Sequence, residues 1–105
     1  MLGEVEQLVL LALLQVPDDG FGVSVQREIE NRTGRRASLG AVYAALVRLE
    51  EKGFLVSRLG EATPQRGGRR KKLYRVTAPG RRALASSIAA LRQLSEGLSP
   101  AFEVR

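Results

Sequence analysis

The stretch SLGAVYAALVRLEEKG, residues 38–53, decides the fold of this chain. Ser38 is a favoured N-cap residue and Gly53 a common residue just after a helix, so we predict a helix that ends near Lys52. Apolar residues recur in it at helical spacing and form a stripe that a core would bury: Leu39, Val42, Leu46 and Leu49. The opposite face carries small residues and one arginine: Gly40, Ala41, Ala44, Val47 and Arg48.

Two helices are predicted before this one. Residues 4–16 have apolar residues on nearly all sides, and the run PDDG at 17–20 then combines a helix-stopping proline with turn residues. Residues 22–33 form a shorter helix in which Val25 and Ile29 point inward, and Gly34 is placed to end it. The second and third helices are therefore joined by a short link.

The helical spacing of the apolar residues ends at Gly53. Residues 54–59 and 73–77 are rich in strand-forming residues, and the loop at 60–72 contains one proline and three glycines, which predicts a β-hairpin. Residues 78–98 return to helical spacing. The predicted fold is mainly α with a small β-hairpin, in the order helix, helix, helix, strand, strand, helix, which is typical of a winged helix-turn-helix.

The predicted domains follow from this order. Residues 1–77 form the winged helix-turn-helix, residues 78–98 a C-terminal dimerisation helix, and residues 99–105 a disordered tail, since Pro100 discourages further helix.

The basic residues are concentrated in the second half of the chain. The formal net charge is +6, and residues 62–95 contain nine basic residues and no acidic one. Five positive charges cluster in the hairpin loop beside two glycines: Arg66, Arg69, Arg70, Lys71 and Lys72. A segregated basic surface indicates a polyanionic partner. A solvated tail or a localisation signal explains it less well, because Lys71 leads directly into an alternating strand.

The third helix has the properties of a helix that enters the major groove of DNA. Gly40 and Ala44 permit close approach, and Ser38 opens a helix start whose N–H groups attract phosphate. Tyr43 and Arg48 lie on the flanks of this face. Taken alone, this helix is equally well interpreted as an ordinary amphipathic helix with an alanine-rich exposed face, and the basic hairpin favours the DNA-binding interpretation.

Successive motifs of the chain resemble those of PadR-type bacterial transcription regulators. These are LVLLALL at 8–14, FGV at 21–23, the stretch at 38–53, GRRKKLYRVT at 68–77, and Gly80. The resemblance covers residues 4 to about 90. It implies that Ser38, Gly40, Tyr43, Ala44 and Arg48 belong to the recognition helix and that residues 66–72 form the wing. It also implies dimerisation through the C-terminal helix, usually against the first helix of the partner.

We predict a homodimer from the residues as well. A chain of this length has little core to cover a second apolar face on the first helix and a heptad-like stripe on the last one. The predicted interface residues are Leu10, Leu14, Leu84, Ile88, Leu91 and Leu98. A dimer would present two recognition helices to a pseudo-palindromic operator in duplex DNA.

Composition narrows the remaining functions. The chain has no Cys and no His, so we expect no disulfide, no metal site, no cofactor and no enzymatic activity. No apolar run is long enough to span a bilayer, and we expect a cytoplasmic protein without a membrane partner. We predict a DNA-binding regulator, most simply a repressor, with any small-molecule effector left open. The alternative is a winged-helix adaptor that contacts proteins and does not bind DNA.

Overall fold

The computed structural model describes residues 2–61 and 70–104. Its elements, in chain order, are α1 (Glu4–Gln15), α2 (Gly22–Thr33), α3 (Leu39–Glu51), β1 (Leu55–Leu59), β2 (Lys72–Val76) and α4 (Ala78–Ser95). The order confirms the predicted winged helix-turn-helix. The strands differ from the predicted ones by one residue at their ends.

The residues that begin and end the helices act as the sequence indicated. The Ser38 hydroxyl accepts a hydrogen bond from the Ala41 N–H (3.3 Å), and the Thr77 hydroxyl accepts one from the Gly80 N–H (3.1 Å). Gly34 and Gly53 follow α2 and α3 with positive φ angles of 70° and 80°, a conformation that favours glycine. The start of α3 is therefore fixed by local chemistry.

The hairpin is joined by a third extended segment. β1 and β2 pair antiparallel, in a register that sets Leu55 opposite Val76 and Leu59 opposite Lys72. Gly20 also pairs with Tyr74, since the Tyr74 N–H donates to the Gly20 carbonyl (2.7 Å) and the Gly20 N–H donates back (3.2 Å). The turn before α2 thus pairs with β2. The turn pattern at 17–20 did not predict this contact.

The core is built around α1, which contacts α2, α3, β2 and α4. The largest fully buried side chains come from the three N-terminal helices and β1: Val9, Leu10, Val25, Val42, Leu46, Leu49 and Leu55. We expected Leu10 and Leu84 to lie open for a partner subunit. They are instead buried within the protomer, because the first turns of α4 and the sheet cover the second side of α1.

The C-terminal region also differs from the prediction. α4 ends at Ser95 rather than at residue 98, and Gly97 then reverses the chain with a φ of 81°. The segment expected to be a disordered tail folds back as far as Val104, whose N–H donates to the Ser95 hydroxyl (2.9 Å). Ser95 therefore holds the C-terminal segment against the end of α4.

Gly80 allows the start of α4 to pack directly on Phe54, in the segment between α3 and β1. A Cβ on Gly80 would lie 2.3 Å from the Phe54 carbonyl oxygen, a backbone atom that has little freedom to move. We expect Gly80→Ala to lower the free energy of unfolding by about 1–3 kcal/mol, the usual cost of overpacking. Chemical denaturation measures this. Gly40→Ala is the matched control, since its Cβ would meet only the Ser38 hydroxyl at 3.7 Å, and an unchanged Gly80→Ala stability would contradict the packing.

Candidate nucleic-acid interface

The exposed face of α3 is small and smooth. Gly40, Ala41, Ala44, Val47 and Arg48 are all exposed. On the opposite side Val42, Leu46 and Leu49 are buried and Leu39 is half-buried. Because α3 begins at an exposed, capped Ser38, its first-turn N–H groups face outward at the positive end of the helix dipole. This surface fits a groove that carries phosphates on its edges.

The link between α2 and α3 is clamped by two side chains of α2. The Gln26 amide donates to the Ala37 carbonyl (2.8 Å), and the Glu30 carboxylate accepts from the Ala37 N–H (3.0 Å). The N–H and the carbonyl of Ala37, the residue before Ser38, thus both have hydrogen-bond partners. The sequence analysis did not identify this role of Gln26 and Glu30. Their i, i+4 spacing, beside a short link with unpaired backbone groups, was the available signal.

Two of the predicted DNA-contact residues, Tyr43 and Lys71, each lie against a residue at the start of α2. Tyr43 of α3 is 46% exposed and lies against Gly22. The Lys71 ammonium, at the base of the wing, lies 4.0 Å from the centre of the Phe21 ring. Since Phe21 and Gly22 are neighbours in the chain, the structure brings α3 and the base of the wing to adjacent residues.

The predicted wing residues do not share one environment. Arg70 is exposed, while the Lys72 ammonium lies 3.2 Å from the Glu50 carboxylate of α3. The hydrogen bond to Glu50 raises the pKa of Lys72, and a hydrogen bond from Ser57 lowers the pKa of Glu50. Lys72 therefore links the wing to α3. Arg66 and Arg69 lie outside the described residues.

Arg48 lies one turn beyond Ala44, at the C-terminal end of the exposed α3 face. It is ten residues after Ser38, about 15 Å along the helix axis. Its Nε is 3.9 Å from the carboxylate of Glu6, which also accepts a hydrogen bond from Lys52 (2.7 Å). The C-terminal half of α3 is thus held to α1 by charge, and the N-terminal half is left to meet a partner.

Glu6 is the buried member of this charge cluster. Burial acts to raise the pKa of Glu6, but the hydrogen bonds from Lys52 and from the Gly3 N–H, with the charges of Lys52 and Arg48, outweigh it. The pKa is therefore lowered from its ordinary value of 4.5. The stabilisation is present above the pKa of the unfolded chain and is lost as the pH falls through the lower folded pKa.

We expect Glu6→Gln to lower the free energy of unfolding by about 1–2 kcal/mol at pH 7, because a charged hydrogen bond is lost. Denaturation between pH 7 and pH 3 measures this. The difference between wild type and variant should shrink as the pH falls below the ordinary Glu value of 4.5. Glu4→Gln is the control, since Glu4 is exposed on the same helix; a difference that is constant with pH would contradict the assignment.

The predicted dimer residues separate into three groups. Leu14, Leu91 and Leu98 are exposed, Ile88 is half-buried against the core, and Leu10 and Leu84 are buried. The sequence analysis missed three exposed apolar residues. They are Leu11 on α1, Leu94 at 82% exposure and Phe102 at 69%. The spacing of Leu91, Leu94 and Leu98 was the available signal for Leu94.

The rest of the described chain offers no other chemical centre. Within residues 2–61 and 70–104, no group of carboxylates is placed to hold a metal ion. In the same residues, no helix is long and apolar enough to cross a membrane.

Comparison with known proteins places this geometry in a family. The sequence model described as "Transcriptional regulator PadR-like family" matches residues 10–86. The chain belongs to the PadR-like family. The match runs from the second half of α1 to the first half of α4 and so includes α3 and the wing. Membership agrees with the prediction that the chain is not an enzyme, because PadR-like proteins are transcriptional regulators.

Solved structures of transcriptional regulators share the fold. A PadR family transcriptional regulator from Eggerthella lenta is 26% identical with a TM-score of 0.73, over 94% of this chain and 84% of that chain. One from Clostridium difficile is 25% identical with a TM-score of 0.73, over 88% and 91%. A transcriptional regulator from Clostridium thermocellum has a TM-score of 0.75 at 23% identity, over 88% and 86%. None of the curated proteins matches the chain.

Proposed function

We propose that this PadR-like protein binds duplex DNA sequence-specifically as a two-fold homodimer and acts as a transcriptional repressor. One observation carries the proposal: Tyr43 of α3 and Lys71 of the wing lie against the neighbouring residues Gly22 and Phe21. A groove-reading helix and a basic hairpin are thus side by side, as simultaneous contact with bases and phosphates requires.

In this proposal α3 and the wing contact different parts of the DNA, according to the chemistry of each element. The N-terminal half of α3, with Ser38, Gly40 and Ala44, approaches the major groove, and Tyr43 lies at its flank. Arg70 and Lys71, with the charges of Arg66 and Arg69, contact the phosphate backbone. Because α3 offers few hydrogen-bonding groups to base edges, part of the specificity comes from DNA shape. Arg48 acts mainly through its position beside Glu6.

Exposed apolar residues support the dimer. The radius of gyration is 15.2 Å, against about 13 Å for a compact chain of this length, so the protomer is elongated. We place the interface on the exposed residues Leu14, Leu91 and Leu98, joined by Leu11, Leu94 and Phe102. A groove of about 210 Å³ between α1 and α2, lined partly by Leu8 and Leu11, offers α4 of the partner a place to pack.

Repression follows from where such a dimer would sit. Two copies of α3 held about one helical turn of DNA apart bind a pseudo-palindrome. A dimer on an operator that overlaps a promoter excludes the polymerase. Action on chromosomal DNA places the protein in the cytoplasm.

Selection of duplexes from a random pool by the purified protein tests this function. We expect enrichment of a pseudo-palindrome with half-sites about one helical turn apart. Recovery of no preferred duplex, with no retention of random DNA at low salt, would favour the protein-binding adaptor. Enrichment of a single half-site would support DNA binding and remove the dimer from recognition.

A further inference from the structure

Gly22 and Tyr43 are closer together than any other residue at position 22 would allow. A Cβ on Gly22 would lie 2.4 Å from Cζ of Tyr43, 2.5 Å from Cε1 and 2.7 Å from the hydroxyl oxygen. All three distances are shorter than real Cβ contacts, so a side chain at position 22 and the present place of the ring exclude each other. Gly22 is buried, and the φ at this position does not require glycine.

The clash would be relieved by moving the ring and not the backbone. The three atoms lie at the far end of the Tyr43 side chain, which is half exposed and can rotate into solvent. Gly22 is also the first residue of α2, where alanine is tolerated as well as glycine. A methyl group at position 22 therefore leaves the fold intact and changes where the Tyr43 ring lies.

We propose that Gly22 is a positioning residue for DNA recognition: its missing side chain lets the Tyr43 ring rest on the start of α2, which fixes the ring at the edge of the α3 face. The proposal deepens the DNA-binding function and rests on it. Gly22 makes no contact with DNA in this account, and it acts only through Tyr43.

The neighbours of Gly22 give this position a wider consequence. The Phe21 ring lies under the Lys71 ammonium, and Gly20 pairs with Tyr74 of β2. Three successive residues thus contact both elements. Gly20 pairs with β2, Phe21 contacts Lys71 at the base of the wing, and Gly22 contacts Tyr43 of α3. The position of the Tyr43 ring relative to the wing is therefore fixed. The ring and the wing then contact DNA in the same register.

Gly22→Ala tests the proposal, with the duplex that the wild-type protein selects from a random pool as the probe. We expect the affinity for this duplex to fall about tenfold, the scale of one specific contact. The affinity for a random duplex and the salt dependence should stay unchanged, because no positive charge is removed. Asn31→Ala, at an exposed position of the same helix, controls for the added alanine.

A double-mutant cycle shows whether Gly22 acts through Tyr43. Tyr43→Ala should weaken specific binding by itself, and Gly22→Ala should then have no further effect, because there is no ring left to displace. Losses that multiply in the double variant would overturn the proposal, as would wild-type binding by Gly22→Ala. Far-ultraviolet circular dichroism of each variant verifies the fold.

The position of the ring can be followed without DNA. The chain has two tyrosines and no tryptophan, so Tyr74→Phe leaves Tyr43 as the source of the near-ultraviolet tyrosine band. Adding Gly22→Ala in this background should change the band, and an unchanged band would overturn the proposal. If the wild-type protein selects no duplex while the band does change, the DNA-binding function fails and the recognition role of Gly22 fails with it, although the steric contact stands.

Discussion

Replacing Arg69, Arg70 and Lys71 together with Ala should weaken the binding of every duplex by roughly a hundredfold or more at physiological salt. These residues supply much of the charge of the wing, and each phosphate contact that is lost removes the release of about one counterion. The slope of log affinity against log salt should become shallower by about 0.9 for each lost contact. Fluorescence anisotropy with the selected duplex and a random one, at several salt concentrations, measures both effects.

The matched control removes the same charge elsewhere. Arg81, Arg82 and Arg92 are exposed on α4, and their replacement with Ala changes the net charge equally. This variant should keep nearly all of its affinity and salt dependence. Equal losses in the two triple variants would mean that overall charge, and not the wing, attracts DNA.

The second large effect concerns the dimer. Replacing Leu91 and Leu94 with Glu should give a folded monomer whose affinity for the whole pseudo-palindrome is lower by about a hundredfold or more. Like charges would be brought together across the two-fold axis, and linkage of the two half-sites would be lost. Leu94 is a sharper site for this change than Ile88, because Ile88 packs against the core of its own protomer. Sedimentation velocity gives the oligomeric state.

A second pair on the same helix serves as the control. Ala85 and Ala89 are exposed, and helical spacing puts them on a different face from Leu94, so two Glu residues there should leave a dimer. A Leu91/Leu94 variant that stays dimeric would place the interface elsewhere. A monomer that binds the palindrome with wild-type affinity would separate dimerisation from recognition.

The sequence predicted the elements well because their signals are local. Ser38, Thr77 and Gly34 act within one turn of the chain, and the stripe of Val42, Leu46 and Leu49 needs only helical spacing. These features identify α3 and its exposed face, and with the hairpin they are enough for the fold class.

The missed features depend on contacts between distant segments. An apolar pattern on both sides of α1 shows that two sides are covered, but not by what, so Leu10 was assigned to a partner although α4 and the sheet of the same chain bury it. The Gly20–Tyr74 pairing and the Glu6–Lys52 ion pair also join residues more than forty positions apart. The contact between Gly22 and Tyr43 has no signal in the sequence, because many glycines begin helices for other reasons.

The salt dependence of binding by the wild-type protein tests the central claim most directly. If each protomer makes about three phosphate contacts, a dimer makes about six, and log affinity should fall against log salt with a slope of about −5 or steeper. The same slope should be seen with the selected duplex and, at lower affinity, with random DNA. A slope near zero, or binding that does not distinguish DNA from a neutral polymer, would contradict the account that α3 and the wing form a DNA-binding surface.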